Sequence, residues 1–181
     1  MKIKLKNVRL SFPHLFTAQQ SDEGEPKFNA AFLLEPTHPQ VKEVEAAMLQ
    51  VAKDKWGAKW ESVYKSMTAS DKLALHDGDT KAQYAGYEGN LFINANNPSR
   101  PLVLDRDKTP LTAEDGKPYG GCYVNVTVEF WAQDNKFGKR INAGLGGVQF
   151  VKDGDRFGGG TVGDESDFDE LEEGADADDL V

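Results

Sequence analysis

One cysteine, three histidines and no long apolar run leave this 181-residue chain few places for covalent, metal or membrane chemistry. The lone Cys122 excludes an intramolecular disulfide, and its setting beside Tyr123, Val124, Asn125 and Val126 reads as a small core residue of a strand. His14, His38 and His76 stand far apart, with no cysteine pair and no histidines at i, i+4, so zinc lacks its usual ligand spacing. No stretch approaches the roughly 20 apolar residues of a membrane helix, and Met1 to Lys6 alternates charge where a signal peptide has an apolar block. A soluble, intracellular protein without a membrane partner is expected. Gly144-Leu145-Gly146-Gly147 lacks the lysine of a phosphate loop and runs into the strand-like Val148 to Val151. No nucleophilic triad signature appears, and the reading is of a non-enzyme without cofactor or metal. Asp77 with Asp79, and Asp105 with Asp107, have a spacing that seats Mg²⁺, but both pairs adjoin turn residues where Asp serves local hydrogen bonds. A Mg²⁺-dependent nuclease using Asp105 and Asp107 is the catalytic alternative.

Positive charge is missing altogether from the last eighteen residues, which carry ten carboxylates: Asp164, Glu165, Asp167, Asp169, Glu170, Glu172, Glu173, Asp176, Asp178 and Asp179. The formal charge is −9; without the tail's −10, residues 1 to 163 stand at +1. With only Phe168, Leu171, Leu180 and Val181 as sizeable apolar groups, residues 164–181 are expected to be a disordered polyanion. Residues 153–163, Asp-Gly-Asp-Arg-Phe-Gly-Gly-Gly-Thr-Val-Gly, read as a Gly-rich linker. Residues 1–152 are then one domain.

Period-two alternation dominates that domain. Ile3 and Leu5, then Val8, Leu10 and Phe12, change parity once, as in a strand with a bulge. Phe28 to Leu34 is a second strand, ended by Pro36. A helical insertion over about 38–75 follows, with Val41, Val44, Met48 and Val51 on one stripe, Gly57 as its stop, and Trp60, Val63, Tyr64 and Met67 on a second stripe. Residues 91–96, 101–105, 121–132 and 140–151 return to strands, separated by Asn97-Pro98, Asp115-Gly116 and an Asp134-Asn135 turn. The fold class is mainly β with a helical insertion (α+β), an antiparallel β-barrel.

Aromatic residues interleave with cations and amides on faces opposite the core. Trp131 and Phe137 bracket a hairpin tip bearing Lys136, Lys139 and Arg140; Tyr123 and Asn125 extend that face. If Leu91, Ile93 and Ala95 point inward, Phe92 and Asn94 point outward, with Tyr84 and Tyr87 in the approach. Lys2, Lys4 and Arg9 form a basic edge, either a guard against edge-to-edge pairing or a phosphate track. Outward aromatics either stack ligands or pack beneath the insertion. Single-stranded nucleic acid needs a positive track and π-faces, with stacking worth about 1–3 kcal/mol per base and no sequence readout. The tail then competes for the basic groove, and its end, Asp178, Asp179, Leu180 and Val181, offers partner proteins an anchor. The rival reading is a protein-interaction adaptor whose acidic tail mimics nucleic acid. Self-association is left open.

Leu5-Lys6-Asn7-Val8-Arg9-Leu10-Ser11-Phe12-Pro13, Gly89-Asn90-Leu91-Phe92-Ile93-Asn94-Ala95 with Arg100-Pro101, Gly120-Gly121-Cys122-Tyr123-Val124-Asn125-Val126 and Gly144 to Phe150 resemble the single-stranded DNA-binding proteins of tailed bacteriophages of the Enterobacter-phage type. The resemblance covers nearly the whole body. It implies an OB-fold barrel that coats single-stranded DNA in phage replication and recombination, in the cytoplasm of an infected bacterium, with an acidic tail that recruits replication or recombination proteins. The terminal Asp-Asp-Leu-Val departs from the terminal Phe of many such tails.

Overall fold

Strict alternation requires a surface with an inside and an outside, and the chain meets that requirement by closing a sheet on itself. The computed structural model describes residues 1–21 and 24–157. The acidic tail, with Asp178, Asp179, Leu180 and Val181, and residues 158–163 lie outside the described residues. Strand β1 (Lys2–Gln19) pairs antiparallel with β2 (Lys27–Leu34) on one side and with β6 (Tyr123–Asn135) on the other. Strand β2 pairs antiparallel with β4 (Leu91–Asn97), and β6 with β7 (Gly138–Lys152). The ring closes where β7 meets β4 in parallel, Ala95 facing Ala143 and Asn96 facing Gly144. The order β1-β2-β4-β7-β6 is a closed five-stranded, OB-fold-like barrel. Among the described residues two three-residue strands lie outside the ring: β3 (Leu75–Asp77) on β4 and β5 (Leu102–Leu104) on β7. Short edges of this kind offer little template for foreign strands.

Inside the barrel, Leu5, Leu10, Phe32, Leu34, Ile93, Val124, Val126, Val128, Phe130, Ile141 and Leu145 form one buried core. Helix α1 (Val41–Trp56) adds Val44, Ala47, Met48 and Ala52, spaced to share one face, and α2 (Trp60–Ala69) adds Met67. Gly57 ends α1 with φ of 52°, a value that favours glycine. The Trp56 indole N–H reaches Asp134 Oδ2 at 3.0 Å, tying α1 to the far end of β6.

Three features differ from the expectation drawn from sequence. Strand β3 is too short for periodicity to reveal. The β6–β7 turn falls at Lys136-Phe137, not Asp134-Asn135, because Gly138 takes φ of 105° and Asn135 Oδ1 accepts the Phe137 N–H at 2.9 Å. Strand β1 contains two left-handed residues, not one irregularity: Asn7 at φ 55° and Phe12 at φ 46°.

Phe130 fills the barrel at the point where Met1 and β6 meet. Replacing it with Ala should lower the unfolding free energy by about 3–5 kcal/mol, read from urea denaturation followed by circular dichroism.

Candidate nucleic-acid interface

The outer faces of β2 and β4 carry a trough whose shape follows from register. Across the two strands Ala31 lies opposite Asn94, Asn29 opposite Asn96 and Leu33 opposite Phe92, so small and amide side chains line its middle. Tyr87 and Phe92 lie at one end, and they are buried, 3% and 4% exposed. With Ala31, Leu33 and Phe157 they make a second apolar cluster, separate from the barrel interior. The Tyr87 hydroxyl donates to Ser11 Oγ at 3.1 Å, and burial raises its pKa above the ordinary tyrosine value, the Ser11 bond opposing that rise. His76 stacks on Phe92 with ring centroids 5.0 Å apart and is held by Asp71 Oδ1 at 2.8 Å.

On this buried layer stand two exposed rings. Phe12 is 52% exposed and meets Tyr84, 42% exposed, edge to face at 5.0 Å. A β-strand that kept its parity would have sent Phe12 inward after Leu10. The left-handed backbone at Phe12 turns it outward, a conformation costly for an aromatic residue. Lys81 and Asn94 complete a cleft of about 270 Å³ around these rings. Phe12 and Asn94 also line a neighbouring cleft of about 380 Å³ that runs past Asn29 and Asn96 to Lys27 and the β1–β2 loop, so the two form one path.

Beyond the second cluster, residues 153–157 lie as a strap across the same outer face. The Phe157 N–H donates to Gly120 O at 2.9 Å, and its ring packs against Gly86, where a Cβ would collide with it. Gly121 and Gly154 are likewise required: a Cβ on either would run into the backbone of the other segment. Arg9 fastens the strap. Its Nε donates to Gly121 O at 3.0 Å and a terminal nitrogen to Asp155 O at 2.8 Å, while its guanidinium lies 4.1 Å from the Phe157 ring centre and 5.7 Å from that of Tyr123.

The predicted contact residues therefore fall into separate groups. Tyr84, Tyr87, Phe92 and Asn94 come together, with Tyr87 and Phe92 as the covered support and Tyr84 as the presented face. Arg9 and Tyr123 sit beside the strap; Asn125 accepts the Asn7 N–H and donates to Gln149. Lys2 and Lys4 face Glu129 and Thr127 along the outside of β1 and β6. Trp131 (48% exposed) and Phe137 (76% exposed) project from the β6–β7 hairpin, where Lys136 lies over Phe137 and Lys139 pairs with Asp134 at 3.9 Å. Phe137 and Lys139 line a cleft against α2. Arg140 is half-buried, and its Nε has no partner among the described residues. No ring contact joins the hairpin to the Phe12–Tyr84 cluster among the described residues. Phe12, Lys81, His76 and Phe157 were not anticipated. The alternation gave no signal for Phe12, which falls in step with Val8 and Leu10 in the sequence and is turned outward by its left-handed backbone.

Candidate chemistry elsewhere has structural explanations. Asp105 accepts the Arg106 N–H and pairs with Lys117 at 3.1 Å; both contacts hold its pKa below the usual carboxylate value. Asp107 accepts the Thr109 N–H at 3.0 Å. Among the described residues no three His, Cys, Asp or Glu side chains cluster as a metal site needs. No helix among them is long and apolar enough to cross a membrane.

A family model described as the ssDNA-binding protein of Enterobacter phage Enc34 matches residues 1–181. The chain belongs to that family. The putative protein p50 of Acyrthosiphon pisum secondary endosymbiont phage 1 is 50% identical over 175 residues, 94% of each chain. The single-stranded DNA-binding protein from bacteriophage Enc34, solved in complex with ssDNA, superposes with a TM-score of 0.74 at 31% identity, covering 87% of this chain and 89% of that one. Gp2.5, a single-stranded DNA-binding protein encoded by bacteriophage T7, matches at a TM-score of 0.59 over 96% of each chain; at 12% identity this is a likeness of fold alone.

Cys122, fully buried next to the strap, has its thiol pushed up to about 11 by desolvation. A disulfide thiol reagent near neutral pH should leave the folded protein unmodified and react with one thiol per chain once urea unfolds it, followed by absorbance.

Proposed function

We propose that the chain binds single-stranded DNA with little sequence preference, laying bases on Phe12 and Tyr84 and running the strand along the amide-lined trough of β2 and β4. The observation that carries this reading is the exposed aromatic pair seated on a buried aromatic layer, on the outer face of an OB-like barrel. Such a platform meets any base by its π-face, while asparagine amides hydrogen-bond to whatever edge is presented. The family supports it, because the Enc34 relative is a single-stranded DNA-binding protein solved with ssDNA. The function proposed is that of a non-enzymatic binding protein.

The β6–β7 hairpin, with Trp131, Phe137, Lys136, Lys139 and Arg140, is a further contact zone in this proposal, and Lys2, Lys4 and Arg9 contribute positive field. The acidic segment 164–181 competes with DNA for these cations and, when displaced, recruits replication or recombination proteins through Asp178, Asp179, Leu180 and Val181. The site of action is the cytoplasm of the phage's bacterial host.

Phe12→Ala and Tyr84→Ala should each weaken binding of an oligothymidylate by about 1–3 kcal/mol without altering thermal melting, measured by fluorescence anisotropy. Normal affinity in both variants would remove the platform. Affinity should fall steeply with salt, since each phosphate neutralised on a single strand contributes about −0.7 to the slope of log K against log salt. Removing residues 164–181 should tighten binding at low salt; unchanged or weaker binding in the same titration would argue against competition by the tail.

A further inference from the structure

On the opposite side of the strap from the trough lies a cleft of about 630 Å³, lined by Lys6, Arg9, Tyr123, Lys152, Asn90 and Glu35 among others. It exists because β1 breaks its ladder with β6 between Leu5 and Val8. The backbone groups freed there are taken up by side chains: Lys6 N–H by Gln40 Oε1 at 2.7 Å, Lys4 O by Gln40 Nε2 at 2.8 Å, and Asn7 N–H by Asn125 Oδ1 at 3.0 Å. His38 holds Lys6 O through Nε2 at 2.8 Å, while its Nδ1 accepts the Gln40 N–H at 3.1 Å. The bulge is thus clasped from outside, and the 35–40 turn forms the far wall of the cleft.

The cations in the cleft are poorly neutralised. Among the described residues neither Lys6 nor Lys152 has a carboxylate partner, and Glu35 is the one acid in the lining. Lys152 Nζ instead sits 4.7 Å from the Tyr123 ring centre. Arg9 spends two of its five N–H donors on Gly121 and Asp155, leaving three. Registers place the cleft and the trough on one strip: Tyr123 faces Arg9, Arg9 faces Leu33 and Leu33 faces Phe92. Three strand spacings of about 4.8 Å make that roughly 14 Å, which a few nucleotides of extended strand cover.

We propose that this cleft is a second seat for the same polynucleotide, in which backbone phosphates of nucleotides that have passed over the Phe157 strap are held by Lys6, Lys152 and the free donors of Arg9, with Tyr123 as the flanking π-face. The proposal rests on the single-strand reading above and adds a compartment to it. Its chemistry is that of phosphate neutralisation, not base readout. Short strands fill the trough alone; longer ones occupy both sides of the strap.

The test compares full-length protein with the double variant Lys6→Ala/Lys152→Ala, using oligothymidylates of about 4 and about 12 nucleotides, lengths within the range that single OB folds cover. The 12-mer should bind the variant about tenfold or more weakly, with its salt slope reduced by about 1.4, while the 4-mer binds both proteins alike. A control that removes two helical lysines, Lys55→Ala/Lys65→Ala, should leave the slope unchanged. An unaltered 12-mer affinity and slope overturns the second seat. Equal losses for both lengths overturn it too, since the lysines would then act on the trough. Wild-type protein that binds neither oligonucleotide removes the seat together with the reading beneath it, and normal 4-mer binding in both proteins separates the two failures.

Discussion

A strand that belongs to a closed barrel must keep one face inside for its whole length and still bend around the circumference, and β1 is asked to do this over eighteen residues. It cannot do so as a regular ribbon. Two residues with positive φ, Asn7 and Phe12, absorb the curvature, and each leaves a mark on the outer surface. At Asn7 the broken ladder exposes main-chain groups that Gln40, His38 and Asn125 satisfy, and the clasp opens a cation-lined cleft. At Phe12 the change of parity ejects an aromatic ring onto Tyr84. Both candidate contact regions are by-products of closing the sheet.

The aromatic platform is prepared before any ligand arrives. Phe12 and Tyr84 lean on Tyr87, Tyr87 leans on Phe92, and Phe92 is backed by His76, with centroid separations of 5.0 to 6.2 Å throughout. The Tyr87–Ser11 hydrogen bond fixes this stack to β1, and Ser11 is the one buried polar side chain among the described residues. Ordering side chains on association costs about 0.5–1.5 kcal/mol for each rotamer-rich group, and pre-stacked rings avoid much of that cost. In the proposed binding mode the surrounding amides would add contacts that do not depend on base identity.

How much of this was legible in the sequence depended on whether the deciding interaction was local. Alternation from Cys122 to Phe130 correctly separated core from outer face, and the same reasoning put Phe92 and Asn94 outside on β4. The stripes of α1 and α2 and the stop at Gly57 were equally plain. Periodicity does not report what covers an outer face, so it could not show that the loop carrying Tyr84 and Tyr87 folds over Phe92. Nor could it show that Phe12, in step with Val8 and Leu10 on paper, leaves the core. Residues 153–163 read as linker by their glycines, yet Gly154 is there because Gly121 and Tyr123 approach its backbone closely. Composition alone does not separate a glycine needed for contact from one needed for freedom.

Phe157 gives that last distinction a mechanical meaning. Because its ring is wedged beside Leu33, Tyr87 and Phe92 and gripped by Arg9, the described chain leaves the barrel from the midst of the outer surface and not from the rim where β7 ends. Traction applied to the chain downstream is therefore delivered to the aromatic layer itself. A pull on the chain beyond Phe157 would thus reach the floor of the proposed platform.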